Sequence, residues 1–351
     1  MISYQFMEHG KPLQKVLHDT PQPKGTEVLV RITRSGVCHS DLHIWDGYFD
    51  WGNGKKFYVK ERGCIPPFTL GHEPFGVVEA FGPKAKGVKV GQKRIVYPWI
   101  GCGKCPVCKE GLDNYCVSGS RFLGVNRPGA YASHVLIPHP KYLVDSAGIE
   151  DGFAATLACS GLTTYSAVAK LPELGPKDWV AVLGCGGLGL VCISVLRAQG
   201  VKNIIACDID PAKLEAAKKL GAKLTLDTRA PDATQKLQAL ALGQLAGAID
   251  LVGMPATAAL GLAALRKGGR YVICGLFGGE LVYPLPPIAQ RGIGIVGSYV
   301  GNLRELKEVV ALAKKKKLKA TPVSTRPAGE VTQILEDLKA GKVLGRVVLA
   351  F

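Results

Sequence analysis

An α/β chain of two units, one on a doubly wound parallel sheet and one β-rich, is predicted from three observations. Short apolar or alternating segments divided by Gly/Pro turns fill the first ~150 residues. From Trp179 the pattern becomes strands alternating with helical stretches. The glycine-rich turn Gly184-Cys185-Gly186-Gly187-Leu188-Gly189 stands at the first strand–helix junction. The 351 residues leave room for both units at ~100–200 residues per domain.

Taken in order, EVLVRIT, GVVEAF, KRIVYP and YASHVLIP read as strands, and no long amphipathic helix interrupts them. The second unit then runs strand WVAVLG, helix LGLVCISVLRAQG, strand NIIACDI, helix PAKLEAAKKLG and short strand KLTLD. Helix DATQKLQALAL, strand GAIDLVG, helix TAALGLAALRKGG and strands RYVICGL and GIGIVGSY follow. This alternation requires a parallel sheet covered on both faces. A helix at about 304–316, another near 329–340 and the strand GRVVLAF close the chain.

With 47% hydrophobic and 21% charged residues, the composition excludes disorder and repeat architectures. The net charge of +16 is spread out, and its densest run, Lys314 to Lys317 with Lys319, lies in and after the last turn of a helix. Lysines there are solvated and complement the helix dipole. No nucleic-acid module or stacking aromatic stripe accompanies them, so no nucleic-acid partner is expected. A basic surface can still draw in an anionic cofactor. No signal-peptide pattern opens the sequence, and no apolar stretch approaches the ~20 residues of a membrane span. A cytoplasmic protein without a membrane partner is expected, and in that compartment clustered cysteines read as metal ligands.

G-x-G-x-x-G after a buried strand and before a helix is the Rossmann dinucleotide fingerprint. Gly184 permits the tight turn, Gly186 lets the backbone approach a pyrophosphate, and Gly189 allows close helix–strand packing. Gly187 and Leu188 open the helix whose free N–H groups face the phosphates. Asp208, nineteen residues after Gly189 at the next strand end, is placed to accept from ribose hydroxyls and to repel a 2′-phosphate, favouring NAD. The competing reading makes Asp208 or Asp210 a helix cap.

Eleven cysteines divide into sets. Cys102, Cys105, Cys108 and Cys116 read C-x2-C-x2-C-x7-C in a polar loop, a spacing that closes a tetrahedral structural zinc. Cys38, His72 and Cys159 are scattered; spacing alone leaves open which thiols and imidazoles combine. Five more remain, Cys64, Cys185, Cys192, Cys207 and Cys274; the last four lie in apolar segments of the second unit and read as core filler.

GVCHSDLH, GHEPFGVV, the four-cysteine loop, LACSGLTTYSA, VLGCGGLG with Asp208, and GRVVLAF together resemble the zinc-containing medium-chain alcohol dehydrogenases along essentially the whole chain. The resemblance implies a GroES-like catalytic domain (1–155 and 297–351) and a Rossmann domain (156–296) with the active site between them. It implies NAD, two zinc ions per chain, a small alcohol, aldehyde or ketone substrate, and a homotetramer or homodimer. By motif position Cys38, His72 and Cys159 are the catalytic zinc ligands, Glu73 the acid beside the metal, and Asp41 the acid that orients the histidine. Ser40 and His43 match the proton relay, His39 and Arg346 the pyrophosphate contacts, Lys213 the partner of Asp208 at the ribose. Thr163 matches a residue packed on the nicotinamide and Trp45 a substrate-pocket residue. A polyol or formaldehyde-type dehydrogenase is the alternative on the same scaffold; polyol enzymes usually carry an acid where Cys159 stands. IWDGYFDWGNGKKFYVKERGCIPPFTL is longer than the family usually has there, and is either a lid, a wider pocket mouth or a surface loop.

Overall fold

The computed structural model describes residues 1–351. The first unit is a seven-stranded sheet ordered Leu143–Asp145, Lys93–Val96, Glu73–Phe81, Val28–Val37, Arg346–Ala350, Val323–Pro327, with His134–Ile137 also paired to Val28–Val37. The last strand therefore lies beside one of the first, antiparallel, with Val347 opposite Val37. Period-two alternation explains its place: Val347 and Leu349 enter one apolar cluster with Phe6, Val37 and Ile334, while Val348 enters another with Val30 and Ile32.

The second unit is a six-stranded parallel sheet ordered Leu224–Asp227, Ile204–Asp208, Trp179–Leu183, Leu245–Asp250, Arg270–Ile273, Gly294–Gly297. Val180 and Val182 pack on one face, Ala181 and Leu183 on the other, so both faces are buried as the continuous apolar run requires. Strand order reverses on either side of Trp179–Leu183, which puts the glycine-rich turn at the crevice where such sheets bind ligands.

Between the units runs one long helical segment: α-helix Asp151–Thr156, a π-turn Leu157–Gly161 and α-helix Leu162–Val168. The sequence pattern had supplied no helix here, because the segment is buried on nearly every side and has no amphipathic period. Cys159 sits in the π-turn, the kind of distortion frequent at functional sites. The helix Leu285–Arg291 and the strand Val323–Pro327 were also not expected. No helix is long and apolar enough to cross a membrane.

The unusual insert is ordered. Tyr48–Asp50 pairs antiparallel with Lys56–Tyr58, and a helical turn, Val59–Arg62, follows. Its tip crosses to the second unit: a Cβ on Gly52 would meet Glu280 Cγ at 2.4 Å, and one on Gly278 would meet Asp50 Cβ at 2.6 Å.

Candidate active site

Cys38, His72 and Cys159 come from three distant segments, and their ligating atoms, with a Glu73 carboxylate oxygen, all lie within 4.8 Å of one another. Cys38 stands at the N-terminus of helix His39–Asp46. Its Sγ is 4.0 Å from that of Cys159, and its N–H donates to Asp41 Oδ2 at 2.9 Å. Hydrogen bonding from Cys159, opposed by burial and aided by His72, holds the Cys38 thiol well below its usual range. The Cys159 thiol is correspondingly raised by Cys38.

Asp41 is fully buried and organises the site. His72 Nδ1 donates to Asp41 Oδ1 at 3.1 Å and Tyr131 Oη to Asp41 Oδ2 at 2.9 Å. With Nδ1 committed, His72 Nε2 is the free ring atom, and this buried nitrogen has no hydrogen-bond partner. Burial lowers the pKa of His72, but Asp41 and Cys38 outweigh it and lift it to about 10. Two sulfurs, an orphaned imidazole nitrogen and a carboxylate behind the histidine form a donor set suited to zinc. The role of Tyr131 was not visible in the sequence, because nothing in the spacing of residues 41 and 131 signals that they meet.

Glu73 is buried beneath Gly36, where a Cβ would overlap Glu73 Oε2 at 2.0 Å. Arg346 Nη2 donates to Glu73 Oε1, a buried ion pair that the separate motifs did not reveal. Arg346 also lies against the glycine-rich turn: a Cβ on Gly187 would meet its Cδ at 2.5 Å. Its Nε has no partner.

Two of the three fingerprint glycines meet a backbone need in the structure. Gly184 has φ +88°. A Cβ on Gly186 would meet nothing within 4 Å, so its backbone faces open space. A Cβ on Gly189 would strike Gly184 O at 2.0 Å, where helix and strand touch. Asp210 caps the next helix by accepting from Ala212 N–H at 2.9 Å, so Asp208 is not the cap. Asp208 instead accepts from Cys185 N–H at 2.6 Å and Asp210 N–H at 2.9 Å, bracing the turn itself. Lys213 Nζ stands 3.8 Å from Asp210.

A cavity of about 670 Å³ joins these parts. Cys38, Ser40, Cys159 and Thr163 line it beside Leu188 of the glycine-rich turn. Thr163 Oγ1 is buried without a partner. His39 and His43 stand outside the lining, in an aromatic pile where His39 stacks on Phe277 at 4.4 Å and His43 lies 4.9 Å from Phe49. Trp45 does not line the cavity. It is buried on the far side of its helix against Val37 and Leu42, and its Nε1 donates to Lys11 O at 2.7 Å. Ile44, Phe49 and Trp51 take the place expected of it. The helix turns by about 100° per residue, so neighbours 44 and 45 face different ways. Cys274 is a second departure, since it lines the cavity and is not plain core filler.

The other four cysteines converge in a separate lobe, with ligating atoms also within 4.8 Å. Cys102 Sγ accepts from Lys104 N–H at 3.4 Å and Cys105 N–H at 3.3 Å, and these bonds lower its pKa to about 6. Backbone donors that favour thiolate suit a metal lobe. Asn114 Nδ2 ties the lobe to Tyr299 O at 3.0 Å.

Residues 24–146 match the family profile described as alcohol dehydrogenase GroES-like domain, and residues 187–315 match zinc-binding dehydrogenase. The chain belongs to the zinc-containing medium-chain alcohol dehydrogenases. Among its relatives in that family, the NAD-dependent alcohol dehydrogenases of Sulfurisphaera tokodaii and Saccharolobus solfataricus are 37% and 36% identical to it, each comparison covering 99% of both chains. The crystal structure of the alcohol dehydrogenase from Aeropyrum pernix is 32% identical and superposes with a TM-score of 0.90 over the whole of both chains. The GroES-like fold and the Rossmann-like parallel sheet are those of this alcohol dehydrogenase family.

Proposed function

We propose that this protein oxidises a primary or secondary alcohol to an aldehyde or ketone, reversibly, with NAD, at a zinc ion held by Cys38, His72 and Cys159. The observation that carries this reading is that the orphaned His72 Nε2 lies beside two cysteine sulfurs lining a cavity that also reaches the glycine-rich turn. Bound there, zinc supplies Lewis acidity toward the hydroxyl and NAD supplies the hydride acceptor.

The chain's own residues do the rest. Ser40 Oγ, in the cavity, receives the hydroxyl proton, and His43, one turn along the same helix, passes it outward. Burial holds the His43 ring below its ordinary range, so it is neutral and able to accept a proton at pH 7. Thr163 offers a buried hydroxyl to the nicotinamide, while Gly186, His39 and the free Nε of Arg346 receive the pyrophosphate. Asp208 takes the adenosine ribose with Lys213 beside it. Glu73 sets the charge beneath the metal and fixes Arg346. The cavity walls exclude water and hold the reacting carbon in place. Cys102, Cys105, Cys108 and Cys116 hold a second, structural zinc. The functional units run 1–155 with 297–351, and 156–296; the assembly is a homotetramer or homodimer.

The test is direct: purified protein should carry about two zinc ions per chain and form NADH from a panel of aliphatic, aromatic and secondary alcohols. A zinc-loaded protein that turns over none of them defeats the proposal. Two variants probe individual roles. Asp41→Asn should weaken the catalytic zinc about 10- to 100-fold, read by competition with a chelator, because the imidazole loses its charged acceptor. Zinc retention equal to the parent would remove Asp41 from that role. Asp208→Asn keeps an acceptor for one of the two backbone N–H groups and loses the charge, so the NAD/NADP ratio of kcat/KM should fall about tenfold. An unchanged ratio would leave Asp208 as a brace of the turn only.

A further inference from the structure

We propose that the hairpin Tyr48–Arg62 is the substrate-selecting wall of the cavity and fits it to alcohols carrying an aromatic ring, with Trp51 and Phe57 as specificity residues. This deepens the reading above and rests on it.

Three observations carry the assignment. First, the hairpin's side chains line the cavity: Phe49, Trp51, Phe57 and Arg62 all face it. Trp51 and Phe57 stack at 4.9 Å with 12° between planes, and the Arg62 guanidinium lies over the Phe57 ring at 4.6 Å. The flat groups are thus already in contact before any ligand enters. Trp51 remains 57% exposed, so much of its ring surface is not covered by the protein.

Second, further aromatic rings line the same cavity: Trp99, Tyr115 and Tyr299, with Trp99 and Tyr299 edge to face at 6.1 Å. A substrate ring entering it meets aromatic faces and edges, whereas a two-carbon alcohol leaves much of the apolar space wet. Third, the hairpin is held across the cleft. Gly52 and Gly278 permit backbone-level contact with Glu280 and Asp50, so the hairpin tip packs directly against the second unit. Leu188 and residues between Gly253 and Leu281 line the 670 Å³ cavity from the second unit, and the hairpin lines it from the first.

The experiment compares kcat/KM for cinnamyl alcohol and for ethanol in zinc-loaded enzyme at saturating NAD. The parent should favour cinnamyl alcohol by about 100-fold, and Trp51→Ala should lower that ratio tenfold or more, since a pocket contact of this size discriminates by roughly 10- to 200-fold. Trp51→Phe, which keeps a ring, should retain the ratio within about threefold. A parent that uses ethanol as well as cinnamyl alcohol overturns the inference while leaving the dehydrogenase reading intact. So does an unchanged ratio in Trp51→Ala combined with Phe57→Ala. An enzyme that oxidises no alcohol overturns both readings together.

Discussion

Cys38→Ser is expected to abolish alcohol oxidation while leaving NADH binding near that of the parent. The serine is nearly isosteric, and the backbone N–H of residue 38 keeps its bond to Asp41, so the helix His39–Asp46 and the orientation of His72 should survive. What is lost is a soft anionic ligand in a fully buried site where the remaining donors are one sulfur and one imidazole. Removing the Lewis acid from such a reaction is worth ~4 kcal/mol or more, about a 10³-fold fall in kcat/KM. His72→Ala should do the same, with an added stability cost because Asp41 then keeps a buried charge without its imidazole partner. NADH binding should persist because the glycine-rich turn, Asp208 and their hydrogen bonds lie in the other unit. Fluorescence titration of NADH against the variant is the measurement. Loss of binding in step with turnover would mean that metal and nucleotide do not occupy separable sites.

Cys105→Ser should instead unfold the enzyme more easily and halve its zinc. The lobe from Cys102 to Cys116 contains one four-residue helix and one three-residue turn. It has little apolar core of its own, so a metal closing four thiolates would supply its rigidity. A loss of ~3 kcal/mol corresponds to a drop of about 5 °C in Tm for a chain of this size. The effect should also reach the cavity. Asn114 is tied to the Tyr299 carbonyl, and both Tyr115 and Tyr299 line the cavity wall, so KM for bulky alcohols should rise. Calorimetry with metal analysis decides it: unchanged Tm and two zinc ions per chain in the variant would sink the structural-zinc assignment.

Local signals were readable where the chemistry is local. The C-x2-C-x2-C-x7-C loop closes on itself within fifteen residues, and all four sulfurs do converge. Gly184 and Gly189 each serve a backbone need at their own position, and the structure shows it. The parallel direction of the strands follows from the alternation of strand and helix, whereas their order came with the fold. Cys38, His72 and Cys159 were assignable only through the flanking motifs, since their meeting is a product of the fold. Trp45 failed for a related reason: motif position names a residue, but helix rotation decides which neighbour faces the cavity, and that is Ile44.

The amino-acid order was sufficient for two α/β units, a four-thiol lobe and a dinucleotide turn, because these depend on periodicity and on contacts between residues near in the chain. Folding supplied what depends on distant pairs. It joined Tyr131 and His72 to Asp41, Arg346 to Glu73, and the 48–62 hairpin to the 278–280 loop. Sequence separation carries no information about such contacts. The Arg346–Glu73 pair depends on the register of the closing strand against Val28–Val37, and the π-turn carries Cys159 to the site. Most buried polar groups pair where that packing leaves them, and His72 Nε2, a buried ring nitrogen without a protein partner, marks the candidate metal centre.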